Sequence, residues 1–261
     1  MLLSDGNPNA SLDLQAYEMA ILGLANVEGI DLDVKLTLAA EEISEDVLDI
    51  LLDHTRSTIF PESNLRRARG VTDVVVTAPM KRWHALHTIE MVYRDAFNNQ
   101  LNDRYQVKWQ EYGRLARDAR ERTIKLGIGL VLTPIPQADA PVLGFVSGSG
   151  AGGTFYVQVA WLSNTGLSAT GQLGAPCDVT ATGLTAGTHL TVQAVNPPAV
   201  ATGYNVYAGS SADSLALQNL AVVPVGEVFE MPDSGLIAGV APGAGQVPDV
   251  YIVGGAMLRR G

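Results

Sequence analysis

Three residues in one short stretch are of types that do chemistry. In "RWHALHTIE", His84, His87 and Glu90 recur every third residue. On a helix that spacing shares a face, and two imidazoles with a carboxylate become a metal site when a further ligand completes them. No second cluster of ligands stands elsewhere in the chain. The preferred reading is therefore a helix that packs Trp83 and Leu86 while its histidines bond backbone or neighbours. The carboxylate pairs Glu41–Glu42 and Glu45–Asp46 lie on or beside a helix start, where the helix dipole accounts for them. The single cysteine, Cys177, sits between Pro176 and Asp178, the four histidines are scattered, and no Gly-x-Ser-x-Gly elbow is present. No catalytic residue, metal or cofactor is expected, and the chain reads as a non-enzyme.

Two other patterns invite a ligand. "SGSGAGG" (Ser147–Gly153) has the glycines of a phosphate loop, but it lacks the lysine and the following helix that such a loop needs. It reads as linker. The basic runs Arg66, Arg67, Arg69 and Lys81, Arg82 could meet phosphates or acidic protein surfaces, with a solvated loop as the plainer account.

The elements that would position these residues fall into two halves. The chain has 261 residues and a net charge of −10, which disfavours general affinity for nucleic acid. Between Pro141 and Leu258 there is no Lys or Arg, so nearly all the charge lies before residue 140. One cysteine excludes an internal disulfide, and no apolar run approaches the roughly 18 residues of a spanning helix. The N-terminus shows neither a basic stretch nor a sustained apolar one, so a protein outside membranes, made in the cytoplasm, is expected.

The first half has helical period. Ser11 is a candidate cap for a helix to about residue 26, with Leu12, Tyr17, Ile21 and Leu24 near one face and Gly29 as its stop. Ser44 reads as a second N-cap, flanked by an Ile43/Leu48 staple and followed by an apolar stripe of Val47, Leu48, Leu51 and Leu52. "VTDVVVTAP" reads as an extended arm. An αα-hairpin follows. Leu86, Ile89, Tyr93 and Phe97 mark its first helix. Tyr105, Trp109, Tyr112, Ala116, Ala119 and Thr123 stripe its second, capped by Asn102 or Asp103 and stopped by Gly127 and Gly129. On the second helix Arg114–Asp118, Arg117–Glu121, Asp118–Arg122 and Glu121–Lys125 are opposite charges four apart. From Thr154 onward, "TFYVQVAWL", "HLTVQAV", "GYNVYAG" and "VYIVGG" alternate as short strands between Gly/Pro turns, the pattern of a β-sandwich.

The resulting expectation is an α+β multidomain chain. Residues 1–132 form a helical αα-hairpin or bundle domain and 133–153 a Pro/Gly-rich linker. Residues 154–255 form an all-β, immunoglobulin- or fibronectin-like sandwich, and 256–261 a C-terminal tail.

The run Thr77–Ala119, above all "RWHAL", "YRDAFNNQLNDRY" and "KWQEY", resembles head–tail connector (adaptor) proteins of tailed bacteriophages. "GLVLTPIPQADAP" resembles that family's linker; "GYNVYAGSSADSLALQN", "GQVPDVY" and "LRRG" resemble its C-terminal immunoglobulin-like domain. The resemblance implies a structural virion protein of the neck, made in the host cytoplasm. It implies a ring of about twelve copies under the portal that extends the DNA channel and joins capsid to tail. The implied partners are other copies of the chain, the portal protein and a tail, stopper or terminator protein. Double-stranded DNA would pass through the lumen without specific binding, and no membrane is involved. Arg114, Arg117, Asp118, Glu121, Arg122 and Lys125 are candidate inter-subunit contacts. Met257, Leu258, Arg259 and Arg260 form a candidate portal-contact tail. The alternative is a cell-surface or carbohydrate-binding module of a tail or baseplate, for which Tyr156, Trp161, Tyr204, Tyr207 and Tyr251 are the candidate exposed aromatics, although alternation places several of them in the core.

Overall fold

The computed structural model describes residues 1–56, 69–100, 103–150, 152–164, 172–253 and 256–259. Helices fill the N-terminal half and a sheet-rich region follows. The helices are α1 (Ile21–Glu28), α2 (Leu32–Arg56), α3 (Ala78–Gln100) and α4 (Asp103–Leu126). The strands are β1 (Ile128–Leu130), β2 (Val142–Ser147), β3 (Gly153–Ser163), β4 (Gln172–Leu173), β5 (Thr180–Leu184) and β6 (Thr188–Gln193). They continue with β7 (Gly203–Gly209), β8 (Ala216–Leu217), β9 (Val223–Pro224), β10 (Phe229–Glu230), β11 (Val250–Val253) and β12 (Ala256–Arg259).

Two compact units result, and they do not follow chain order. One joins Leu3–Val131 to Val247–Gly261; the other joins Met1–Leu2 to Leu132–Gln246. The sequence places the second boundary differently, keeping the sheet unit intact to residue 255. Its closing strand, "VYIV", belongs elsewhere: β11 pairs with β1, Ile252 opposite Ile128, and β12 adds at the other edge.

In the helical unit, α2 starts earlier than Ser44. Asp31 caps it, its Oδ1 accepting the N–H groups of Asp33 (2.9 Å) and Val34 (3.2 Å). Ser44 lies mid-helix and donates its hydroxyl to the Ala40 carbonyl at 2.7 Å, so it caps nothing. Leu36, Ala39, Ile43, Val47 and Leu51 form the buried face, and Leu48 and Leu52 are exposed. Ahead of α2, Ser11–Ala16 forms a short 3₁₀ turn and only Ile21–Glu28 is α-helical. Leu12 and Tyr17 are consequently exposed, while Leu14, Ile21 and Ala25 point inward. Gly29 ends α1 in the left-handed region (φ 67°), and the Ile30 N–H reaches back to the Ala25 carbonyl.

The α3/α4 hairpin matches its sequence pattern. Tyr105, Tyr112, Ala116, Ala119 and Thr123 are buried, with Tyr93 stacked on Tyr112 at 5.6 Å and Phe97 on Trp109 at 6.0 Å. Asn102 lies outside the described residues, as do Arg66 and Arg67. The segment after Gly70 is a 3₁₀ turn and then an extended pair, Val74 bridging Leu130. Gly127 stops α4 at φ 105°, and a Cβ there would fall 2.6 Å from Val253, so this turn needs glycine.

The sheet unit has two sheets, ordered β10-β6-β2 and β4-β3-β7-β8, with β5 paired to β3 and β9 to β7. One core takes side chains from both sheets: Val157, Val159 and Trp161 of β3, Tyr204 and Val206 of β7, Leu190 and Val192 of β6. Trp161 meets Tyr204 edge-on at 5.9 Å. The Tyr204 hydroxyl donates to the Glu227 carbonyl at 2.7 Å. Val142–Ser147 is strand β2, where the sequence suggests linker; its register against β6 runs from Val142↔Gln193 to Ser147↔Thr188.

Candidate functional site

Each histidine of the α3 cluster has a structural occupation. His84 is fully buried. Its Nε2 lies 2.9 Å from the Leu36 carbonyl, which only accepts, so that nitrogen carries the proton. Its Nδ1 accepts from Asn9 Nδ2 at 2.9 Å, and Asn9 also donates to the Lys81 carbonyl. The neutral ring therefore ties the N-terminal segment, α2 and α3 together. Burial, only partly offset by the Leu36 bond, pushes its pKa down to about 4.

His87 has the opposite environment. Its Nε2 is 2.7 Å from Glu42 of α2 and its Nδ1 3.1 Å from Glu90 of α3. Two carboxylate acceptors on two ring nitrogens are satisfied only by the imidazolium, which donates from both. Burial alone would lower this pKa, but the bonds to Glu90 and Glu42 outweigh it and raise it. Glu42, Asp46, His87, Glu90, Arg117 and Arg120 line a 250 Å³ cleft, and Arg120 clamps Asp46 with bonds of 2.7 and 3.2 Å. The cleft ties α2, α3 and α4 together with ion pairs. No group of three or more His, Cys, Asp or Glu side chains is placed to hold a metal ion among the described residues.

A second polar cluster was not legible in advance. Glu18 accepts from Lys108 Nζ (3.0 Å) and the Tyr112 hydroxyl (2.9 Å). Burial raises its carboxyl pKa, but the Lys108 and Tyr112 bonds dominate and lower it. Tyr105 donates to Glu28 at 2.9 Å. Beside this cluster Met19, Ala20, Gly23, Leu24, Val27, Tyr93, Arg104, Tyr105 and Lys108 line an open groove of about 600 Å³. The tyrosine stripe gave a signal for the floor; nothing local in sequence marks Glu18 as its acceptor, about 90 residues away.

The six candidate contact residues all lie on the exposed side of α4. Arg114 and Asp118 pair at 3.2 Å, as their spacing predicts. Arg117, Glu121, Arg122 and Lys125 make no ion pair among the described residues. The proposed portal-contact residues are differently placed from a free tail. Met257, Leu258 and Arg259 belong to β12, paired with Ile252, Tyr251 and Val250, and Arg260 lies outside the described residues. Of the aromatics that a glycan-binding face would use, Trp161, Tyr204 and Tyr207 are buried in the sheet unit. Among the described residues no helix is long and apolar enough to cross a membrane.

No family model, no curated protein and no solved structure matches this chain.

Proposed function

We propose that the chain is a non-enzymatic head-to-tail adaptor of a tailed-phage virion. It assembles into a closed ring of about twelve copies at the neck. The ring sits under the portal, continues the DNA channel and offers its far side to a tail, stopper or terminator protein. The sheet unit is an immunoglobulin-like module carried on this ring. These assignments start from the motifs between Thr77 and Ala119 and in the C-terminal region.

One structural observation supports the reading most. The outward face of α4 carries Arg117, Glu121, Arg122 and Lys125 without an ion pair among the described residues, on a helix held stiff by aromatic stacking against α3. Alternating charges on a rigid wall are suited to pairing with a neighbouring copy. The net charge of −10 suits a lumen through which DNA slides, since few phosphates would be gripped. Negative-stain imaging of the purified protein tests the ring: annular particles with an axial hole are expected. A uniform population of single small particles at micromolar concentration would contradict it.

A further inference from the structure

The outer face of α2 carries a second pattern, opposite its buried one. Val34, Leu38, Glu41, Glu45, Leu48 and Leu52 follow one another at intervals of 4, 3, 4, 3 and 4, the repeat that keeps one stripe facing a partner. All six are exposed; the four apolar ones retain 50, 39, 38 and 42% of their surface. The stripe is apolar at both ends and acidic in the middle. The helix as a whole has seven acidic residues against two basic.

The groove between α1 and α4 has the complementary make-up. Met19 and Val27 expose 85 and 75% of their surface, and its two charged lining residues, Arg104 and Lys108, are both cations. Lys108 also meets Glu18 and Glu111, and Arg104 donates to the Tyr105 hydroxyl, so both cations are held at the rim. The helix that supplies them, α4, has seven basic residues against four acidic. Gly23 adds an independent observation. Glycine disfavours a helix interior, yet this one sits in α1, without positive φ, and a Cβ on it would meet nothing within 4 Å. Its own chain gives no reason for glycine. A surface packing closely against it from outside does.

We infer that the groove of one copy receives the outer face of α2 from a second copy. Leu38 and Leu48 pack over Met19, Gly23 and Val27, and Glu41 and Glu45 face Arg104 and Lys108. The two surfaces share no residue, so the contact is head-to-tail, the kind that closes into a ring. The inference rests on the ring reading and names the surfaces that make it.

Two variants, each checked for folding, test it. Leu38→Gln with Leu48→Gln blunts the stripe, and both sites are exposed. Gly23→Gln fills the groove with a better helix former, so α1 is not weakened. Circular dichroism melts confirm folding, and native mass spectrometry reads assembly. Each variant alone should lose assembly, with association weakened by more than about a hundredfold for the stripe variant. An equimolar mixture should yield heterodimers and nothing larger, because one intact stripe and one intact groove remain per pair. If wild type and both variants assemble alike, this contact is wrong and the ring reading stands. Loss in the stripe variant alone, with no rescue on mixing, would mean that α2 docks on something other than this groove. A wild type that stays monomeric throughout sinks the ring reading and this contact with it.

Discussion

His84 and His87 lie three residues apart on α3 and titrate in opposite senses. His84 is neutral when folded, with its pKa pushed to about 4 from the ordinary 6.5. The unfolded chain takes up that proton more readily, so its contribution is present above pH 6.5 and is lost as pH falls toward 4. Urea unfolding followed from pH 7 to 4.5 should show wild type losing about 2 kcal/mol more than His84→Gln over that range. Equal losses would show that His84 is not the buried neutral ring described. His87, raised by Glu90 and Glu42, stabilises below pH 6.5 and loses that contribution as pH climbs through its folded pKa. In His87→Gln the alkaline decline should flatten while the acid limb is unchanged. The sequence brought these histidines into view by their spacing, but not their partners. Leu36 and Glu42 lie more than forty residues away, and only the packing of α2 on α3 delivers them.

At the scale of elements, the hairpin could be read ahead because its two 3.6-residue stripes are long and each buries one face. The start of α2 could not. Ser44 has the chemistry of a cap, but Asp31 supplies the same hydrogen bonds earlier, and the apolar positions from Leu36 to Leu51 then run through Ser44 unbroken. Asp31→Ala should cost about 1 kcal/mol and lower the melting temperature by a few degrees. Asp31→Asn should restore most of it, and equal melting of all three would remove Asp31 from that role. Strand β11 illustrates a different limit. Alternation in "VYIV" predicts a strand correctly, yet its partner Ile128–Leu130 lies over a hundred residues earlier, and alternation carries no information about pairing. Strand β2 was hidden by the prolines before it and by its largely exposed surface. By contrast, "GYNVYAG" was legible as a strand from its alternation: Tyr204 and Val206 enter the main core, and Tyr207 enters a smaller one with Ala160 and Leu215.

For the molecule as a whole, the place of the C-terminal segment in the fold is separable from the portal contact proposed for it. β12 is the edge strand of a three-stranded sheet whose remaining pair, β1 and β11, does not depend on it. Removing 256–261 should therefore lower the melting temperature only modestly, and on the adaptor reading it should weaken portal docking more than it weakens folding. Truncated protein that still docks would dismiss the tail as a portal contact. The resemblance that suggests an adaptor lies in motifs of the helical hairpin and the C-terminal region, and the structure gives those motifs physical content. In the hairpin motifs Tyr93 stacks on Tyr112 and Phe97 on Trp109, and in "GYNVYAG" Tyr204 and Val206 enter the core between the two sheets. The mass distribution of the purified chain across concentration, by sedimentation or native mass spectrometry, decides whether the copies close into a ring. A discrete species of about twelve copies is the predicted result. A monomer at every concentration, both alone and with portal rings, would contradict it.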